Sequence, residues 1–375
     1  MAIMQKLPFR SLGLACITLA LACSSDDDPA SPAATPGAAG APATETNITR
    51  PADEGTAQNP PGETPTDDAA GDETSSEDAP GDTAAGEETT TALEPALPVV
   101  ANPDHDQLLS SADPALAANK RLVYDAWRTL LEAGDTAAAE QYFREDYIQH
   151  NPNVDTGRDA VFAFFGGQAA REVQERVQVP LVAIVAEGDY VAFVQVDEYT
   201  EPRPYTTTWF DLFRIEDGAI AEHWDHGRLP AGGTPAGYEP PTESADQQAT
   251  LASTDPQLAE NKQLVHEMWR TLLDGQQVEE APNYLAEGYI QHNPQANTGL
   301  LGFLTFFRQF AQPQAVQPDI QNFIHIVAEG DLVVLATVRP YDDAAVPYTT
   351  TWFDMFRVSD GLLTEHWDTA TLPVP

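Results

Sequence analysis

The chain has 375 residues, with 59 Asp+Glu against 18 Lys+Arg, a formal net charge of −41, 31 Pro, 24 Gly and two Cys. That charge excludes a nucleic-acid partner, which would need clustered Lys and Arg on phosphate, and electrostatic docking on anionic lipid. Two cysteines build no disulfide framework, and neither sits in a zinc-ligand spacing.

Lys6 and Arg10 precede an uncharged, mostly apolar run from Leu12 to Ala22, followed by Cys23. A basic start, a short apolar core and small residues before the end form the layout of a secretory signal. The run falls well short of the roughly 20 residues that cross a bilayer as a helix. Leu19-Ala20-Leu21-Ala22-Cys23 resembles the lipobox of bacterial lipoproteins, which implies removal of residues 1–22 and acylation of Cys23. The chain is then expected to be exported and anchored by lipid to the cell envelope, at the outer membrane in a Gram-negative source, with the membrane as a partner through Cys23. Residues 23–112 are rich in Ala, Pro, Gly, Thr, Asp and Glu, with almost no large apolar side chain before Leu93, and read as a disordered tether.

The remainder is one unit written twice. Tyr147-Ile148-Gln149-His150-Asn151-Pro152 recurs as Tyr289-Ile290-Gln291-His292-Asn293-Pro294, and Val185-Ala186-Glu187-Gly188-Asp189 as Val327-Ala328-Glu329-Gly330-Asp331, at an offset of 142. The offset becomes 143 at Thr206-Thr207-Thr208-Trp209-Phe210-Asp211 against Thr349-Thr350-Thr351-Trp352-Phe353-Asp354. This predicts domains at 113–229 and 255–375 joined by a Pro/Gly/Thr/Glu-rich linker at 230–254. Asp113-Pro114 predicts a helix start, with Leu116, Val123, Tyr124, Trp127, Leu130 and Leu131 on one side. Short helices follow over Thr136 to Phe143 and Arg158 to Gln168. The pattern then switches to strands over Leu181 to Ala186, Tyr190 to Val196, Thr206 to Ile215 and Ala219 to Asp225, with turns at Glu187-Gly188-Asp189 and Glu216-Asp217-Gly218. Helices first and an antiparallel meander afterwards make an α+β domain.

Strand alternation puts Thr207, Trp209, Asp211, Phe213 and Ile215 on one face, and His223 with Asp225 on one face of the last strand. Tyr147 to His150 reads as a short strand that brings His150 to the sheet edge. If these faces meet under the helices, His150, Asp211, His223 and Asp225 converge in one apolar cavity, where burial raises a carboxylate pKa and a nearby imidazole opposes the rise. Such a carboxylate can take a proton alpha to a carbonyl while a His or second acid serves the enolate oxygen. In the second unit the equivalents are His292, Asp354, His366 and Asp368, while Gly157-Arg158 becomes Gly299-Leu300 and His226 becomes Thr369. Other readings stand beside this one. His150 could bond only a backbone carbonyl, Asp211 could pair with Arg171 or Arg203, and His223-x-Asp225 with His150 has the spacing of a two-His-one-carboxylate iron site.

With Gly-Arg-Asp-Ala, Phe-Asp-Leu-Phe-Arg-Ile-Glu-Asp-Gly and Glu-His-Trp-Asp added to these motifs, the sequence resembles the SnoaL-like group of the nuclear-transport-factor-2-like superfamily, especially members named for aldol condensation. The resemblance covers both repeats. It implies two tandem cone-shaped α+β barrels, each a curved antiparallel sheet with packed helices around a deep pocket, and it requires neither cofactor nor metal. It also implies an aspartate acid/base, with Asp225 or Asp211 the candidate, and dimerisation through the sheet, here as an intrachain pseudo-dimer of the two repeats. Two functions follow from different classes: aldol, cyclase or isomerase-type proton abstraction on a small carbonyl ligand, or a non-catalytic binding or assembly module of the envelope.

Overall fold

The computed structural model describes residues 93–166, 169–342 and 344–373. The signal, Cys23 and the first part of the tether lie outside the described residues. Among the described residues no helix is long and apolar enough to cross a membrane.

In the first domain a short helix α1 (His105–Leu109) precedes α2 (Pro114–Ala126). Asp113 caps α2 by accepting from the Ala115 N–H, and Pro114 occupies the first turn, where its missing N–H costs nothing. The helix runs on through a wider π-helical turn, Trp127–Glu132. A single short turn α3 (Thr136–Ala139) and a 3-10 turn then lead into β1 (Phe143–Gln149), so the helix expected to reach Phe143 stops earlier. After α4 (Arg158–Phe165) come β2 (Leu181–Glu187), β3 (Tyr190–Tyr199), β4 (Tyr205–Glu216) and β5 (Ala219–Asp225). Asp217 and Gly218 both have positive φ, 52° and 75°, the paired left-handed geometry that turns β4 tightly into β5. The sheet order is β1-β5-β4-β3-β2, antiparallel except for β1 beside β5.

The second domain repeats this with α5 (Gln247–Leu251), α6 (Pro256–Met268), β6 (Leu285–Gln291), α7 (Leu300–Phe307), β7 (Phe323–Glu329), β8 (Leu332–Tyr341), β9 (Tyr348–Ser359) and β10 (Leu362–Asp368). Its sheet order is β6-β10-β9-β8-β7. Each sheet therefore has two faces with different duties. Phe213 and Ile215 of β4 point to the helices, packing with Val123, Trp127 and Leu130. Phe210 and Leu212, one residue out of phase, point the other way and pack with Phe353 and Met355 of the second domain. Phe210 and Phe353 stack at 5.5 Å between ring centres. Burying the two apolar outer faces against each other removes them from water, the dominant favourable term in such an arrangement.

Polar links across this junction come in reciprocal pairs. Lys120 Nζ lies 2.6 Å from Glu329, and Lys262 Nζ lies 2.8 Å from Glu187. Each glutamate also accepts a backbone N–H from the other domain's strand, Glu329 from Ala186 and Glu187 from Ala328.

The segment expected to be tether up to residue 112 is folded from Leu93 onward. Leu97 pairs with the edge of β6 (its N–H donates to Gln291 O at 2.9 Å), Val99 is buried at the domain junction, and Asn102 N–H donates to Leu181 O. The linker does the same in the opposite sense: Glu239 N–H donates to Gln149 O and Ser244 N–H to Phe323 O. Each strap thus begins on the other domain and ends on its own. Leu97 and Glu239 are again 142 apart, as are Pro98 and Pro240, and Asp104 and Asp246. The repeat is longer at its start than the matching motifs suggest, because the strap sequences diverged while their backbone pairing stayed.

Candidate active site

Tyr147 and Gln149 of β1 share the helix-facing side, so His150 falls on the other. It stacks on Trp224 at 4.9 Å, and its ring nitrogens meet Glu222 Oε1 and the strap carbonyl of Glu239. His292 repeats this against Trp367, Glu365 and Leu97 O. The expectation that His150 and His292 join the pocket is therefore corrected: both histidines fasten the straps and lie outside the site.

Asp211, His223 and Asp225 do converge. In the β4–β5 ladder Asp211 lies opposite Asp225 and Phe213 opposite His223, all with side chains on the helix side. His223 Nε2 is 2.9 Å from Asp211 Oδ1 and 3.9 Å from Asp225 Oδ2. Its Nδ1 donates to Gln149 Oε1 at 2.9 Å, and that same oxygen accepts the Asn151 N–H. Because Gln149 Oε1 can only accept, the imidazole proton is fixed on Nδ1 and Nε2 presents its lone pair. Neither Arg171 nor Arg203 reaches Asp211, whose second oxygen accepts instead from Gln195 Nε2 at 3.0 Å.

Burial pushes the Asp211 carboxyl well above the usual carboxylate range and pushes His223 down to about 4. Asp211 Oδ1 and His223 Nε2 accordingly share one proton, and burial favours the uncharged arrangement of the pair over the ionic one. Burial also raises Asp225, opposed by His223, the Gly227 N–H and Asn151 Nδ2. Those last two donors reach separate oxygens, Oδ1 and Oδ2, each at 2.8 Å. A carboxylate that accepts two N–H groups keeps its charge at far lower pH than one facing a lone pair. Two adjacent acids thus have opposite partners, one sharing a proton with an imidazole and the other accepting two N–H groups.

These groups border a cavity of about 470 Å³, walled mostly by apolar side chains that include Trp127, Phe143, Val161, Phe165 and Trp209, with Asn153, Asp197 and His226 among its polar lining. Arg228 and the exposed residues Pro230 and Thr234 face it from the solvent side, joined by Thr371 of the second domain. Ligand atoms of Asp211, His223 and Asp225 lie within 4.8 Å of one another, as do those of Asp354, His366 and Asp368.

The second domain keeps the triad and changes its surroundings. His366 Nε2 is 2.8 Å from Asp354 Oδ1, its Nδ1 meets Gln291 Oε1, and Asn293 Nδ2 donates to Asp368. Burial pushes Asp368 up to about 6 and His366 down to about 4. Thr337, however, stands where Gln195 stands, and Asp354 Oδ2 is buried with no hydrogen-bond partner among the described residues. Phe303 replaces Val161 and packs with Tyr289 and Phe307.

Gln149, Asn151 and Gln195 escaped the sequence reading. Alternation from Tyr147 would have found Gln149, and alternation along β3 from Phe193 to Gln195 would have found the third. Asn151 carried no such signal, since it lies past the strand end.

A family model described as a SnoaL-like domain matches residues 124–223 and again 265–366. Among solved structures, TsrD from Streptomyces laurentii is 24% identical over 31% of this chain and 90% of its own, with a TM-score of 0.22. An M. tuberculosis LEH-like epoxide hydrolase is 20% identical over 30% and 84%, with a TM-score of 0.23. A candidate polyketide cyclase from Acidithiobacillus ferrooxidans is 16% identical over 32% and 90%, with a TM-score of 0.24. No curated protein matches the chain.

Proposed function

The chain belongs to the SnoaL-like domain family in both halves, and from that premise we propose that its first domain binds a small apolar carbonyl compound and moves a proton at the carbon alpha to the carbonyl. The observation that carries this reading is a pair of neighbouring cavity acids with opposite partners, Asp211 against the His223 Nε2 and Asp225 accepting two N–H donors. Environments that push two titratable groups apart assign a base and an acid. Asp225, held as carboxylate by Gly227 and Asn151, takes the proton from carbon. The Asp211 proton passes to His223 Nε2, which gives it to the developing enolate oxygen, while Gln195 steadies the Asp211 carboxylate so formed. Attack of the enol carbon on a second carbonyl re-forms the first carbonyl and returns the enol proton through His223 to Asp211, while the new alkoxide takes the proton from Asp225, which closes the balance of an aldol or cyclisation step. Isomerisation instead delivers the Asp225 proton to a different carbon of the enol, while the enol proton returns through His223 to Asp211.

The apolar wall supplies most of the affinity for such a ligand, as in other pockets of this size. Val161→Phe, which installs the residue the second domain carries as Phe303, is expected to weaken binding of the fluorescent probe anilinonaphthalenesulfonate by about tenfold or more, in line with the transfer energy of the apolar probe surface that the added ring leaves in water. Equal affinity would remove this cavity as the binding site. Incubating the full chain with small ketones and β-dicarbonyl compounds in deuterated water tests the chemistry directly, since proton abstraction exchanges the alpha hydrogen. Saturable binding with neither exchange nor product selects the non-catalytic binding module.

The lipobox-like segment supports placing this activity on the cell envelope, with Cys23 as the lipid-bearing residue and the residues after it as spacer. The two domains then act as an intrachain pseudo-dimer at the end of that spacer. Cys23→Ser is expected to move the exported chain from the membrane fraction to the soluble one; unchanged membrane association would remove the lipid anchor.

A further inference from the structure

We infer that the second domain is part of the first domain's site, with Thr350 a positioning residue for Asp225 and Thr371 a piece of the cavity wall. The inference rests on the reading of Asp225 as the base. Asp225 is the last residue of β5, and its main-chain carbonyl accepts from Thr350 Oγ1 of β9 at 3.1 Å. Thr350 is 1% exposed, so no solvent stands ready to replace its hydroxyl. Two residues on, the Gly227 N–H is one of the two donors that keep the Asp225 side chain charged. The chain after it is held from the same side: Arg228 Nη1 donates to Thr371 Oγ1 at 3.3 Å, and Leu229 N–H donates to Tyr348 Oη at 3.2 Å. The second domain therefore fixes both the main chain of the base and the segment that carries its hydrogen-bond donor.

The arrangement is reciprocal, which separates it from an incidental contact. Thr207 Oγ1 donates to the Asp368 carbonyl at 3.2 Å, and Leu372 N–H donates to Tyr205 Oη at 3.1 Å. Each domain positions the terminal aspartate of the other. A buried carbonyl that loses its donor relaxes by moving toward another one, and here that motion drags the Gly227 N–H away from the carboxylate.

Two variants of the full chain decide the matter. Thr350→Val keeps the shape and removes the hydroxyl; Thr350→Ser keeps the hydroxyl. The Asp225 carboxyl is followed by carbon-13 NMR, with Asp225→Asn identifying its signal. Weakening a donor to the charged form raises a carboxyl pKa, so Thr350→Val should raise the Asp225 midpoint by about half a unit or more, while Thr350→Ser stays within about 0.2 unit of the parent. Thr207→Val should move Asp368 and leave Asp225 in place. An unchanged Asp225 midpoint in folded Thr350→Val overturns the proposal, as does an equal shift from Thr207→Val. If Thr350→Val fails to fold, Tyr348→Phe, which releases only Leu229, is read by the same criterion. Thr371→Val should weaken anilinonaphthalenesulfonate binding about threefold by removing the hydrogen bond that holds Arg228 at the wall, and unaltered binding removes Thr371 from the site. Because the titration needs no turnover, it decides the positioning role independently of whether Asp225 proves catalytic.

Discussion

Asp225→Asn is expected to lower alpha-proton exchange by about 10²- to 10⁴-fold, the usual contribution of a general base, in a protein that folds and still binds its ligand. Asparagine keeps the size of the side chain and one oxygen, which accepts from Gly227 or Asn151 but not from both, so packing is kept while the proton acceptor is lost. The same change at Asp368 should alter exchange little, because the second domain carries Phe303 at the position of the cavity-wall residue Val161 and leaves Asp354 without the support that Gln195 gives Asp211. The pH profile follows from the two states. Turnover should rise as Asp225 ionises, through a midpoint above the ordinary aspartate value of 3.8, and fall again when the shared proton of Asp211 and His223 is lost at higher pH. Stability gives an independent sign. A buried carboxyl with raised pKa contributes stability below its unfolded value and loses it as pH rises through its folded value. Removing Asp225 should therefore make the variant gain stability relative to the parent between pH 4 and neutrality. A variant with full exchange activity and an unshifted profile would take Asp225 out of the chemistry.

The repeat, the α+β class and the facing of β4 and β5 were legible because they depend on spacing. Period-two alternation places Asp211, His223 and Asp225 together on one face, and the structure keeps them there. His150 was misplaced because its strand was treated as an edge that ends in a useful residue; applying the same alternation from Tyr147 would have sent it outward. The straps were missed for a different reason. Residues 93–104 are poor in large apolar side chains, the usual signature of a segment that cannot fold alone, and they are ordered by backbone pairing with a domain some two hundred residues away, as in Leu97 to Gln291. No local composition reports such a partner. The hold of Thr350 on Asp225 is likewise invisible in either repeat read singly, since it joins equivalent strands of different copies. Duplication supplied both the second set of residues and the reciprocal contacts by which each copy holds the terminal aspartate of the other.

Lys262→Met should destabilise the chain by about 3 kcal/mol, toward the lower end of the cost of breaking a buried ion pair from one side, measured as the shift in chemical-denaturation free energy. Lys262 is 1% exposed, and its ammonium uses all three of its hydrogens, on Glu187 Oε1 and the Thr250 carbonyl at 2.8 Å and on the Ala252 carbonyl at 2.9 Å. Methionine fills a similar volume, so packing loss is a minor part of the effect. What remains is Glu187, 17% exposed at its side chain, holding a charge with only the Ala328 N–H beside it, and two carbonyls with no donor. The partial exposure of the glutamate lets water take up some of the charge, which is why the upper end of the range is not expected. Neutralising that charge in Lys262→Met/Glu187→Gln should recover about half of the loss, because the amide oxygen still accepts from Ala328 and nothing charged stays buried. A loss under about 1 kcal/mol for the single variant would mean that the pair is solvated in solution and that the apolar faces alone hold the domains together. The expected loss instead ties three things to one nitrogen: the end of α5, the middle of α6 from which Lys262 projects, and a glutamate of the first domain whose other oxygen pins β7. Since β7 is the strand on which the second strap ends, weakening this pair should loosen the strap and the domain junction in a single transition, not in two.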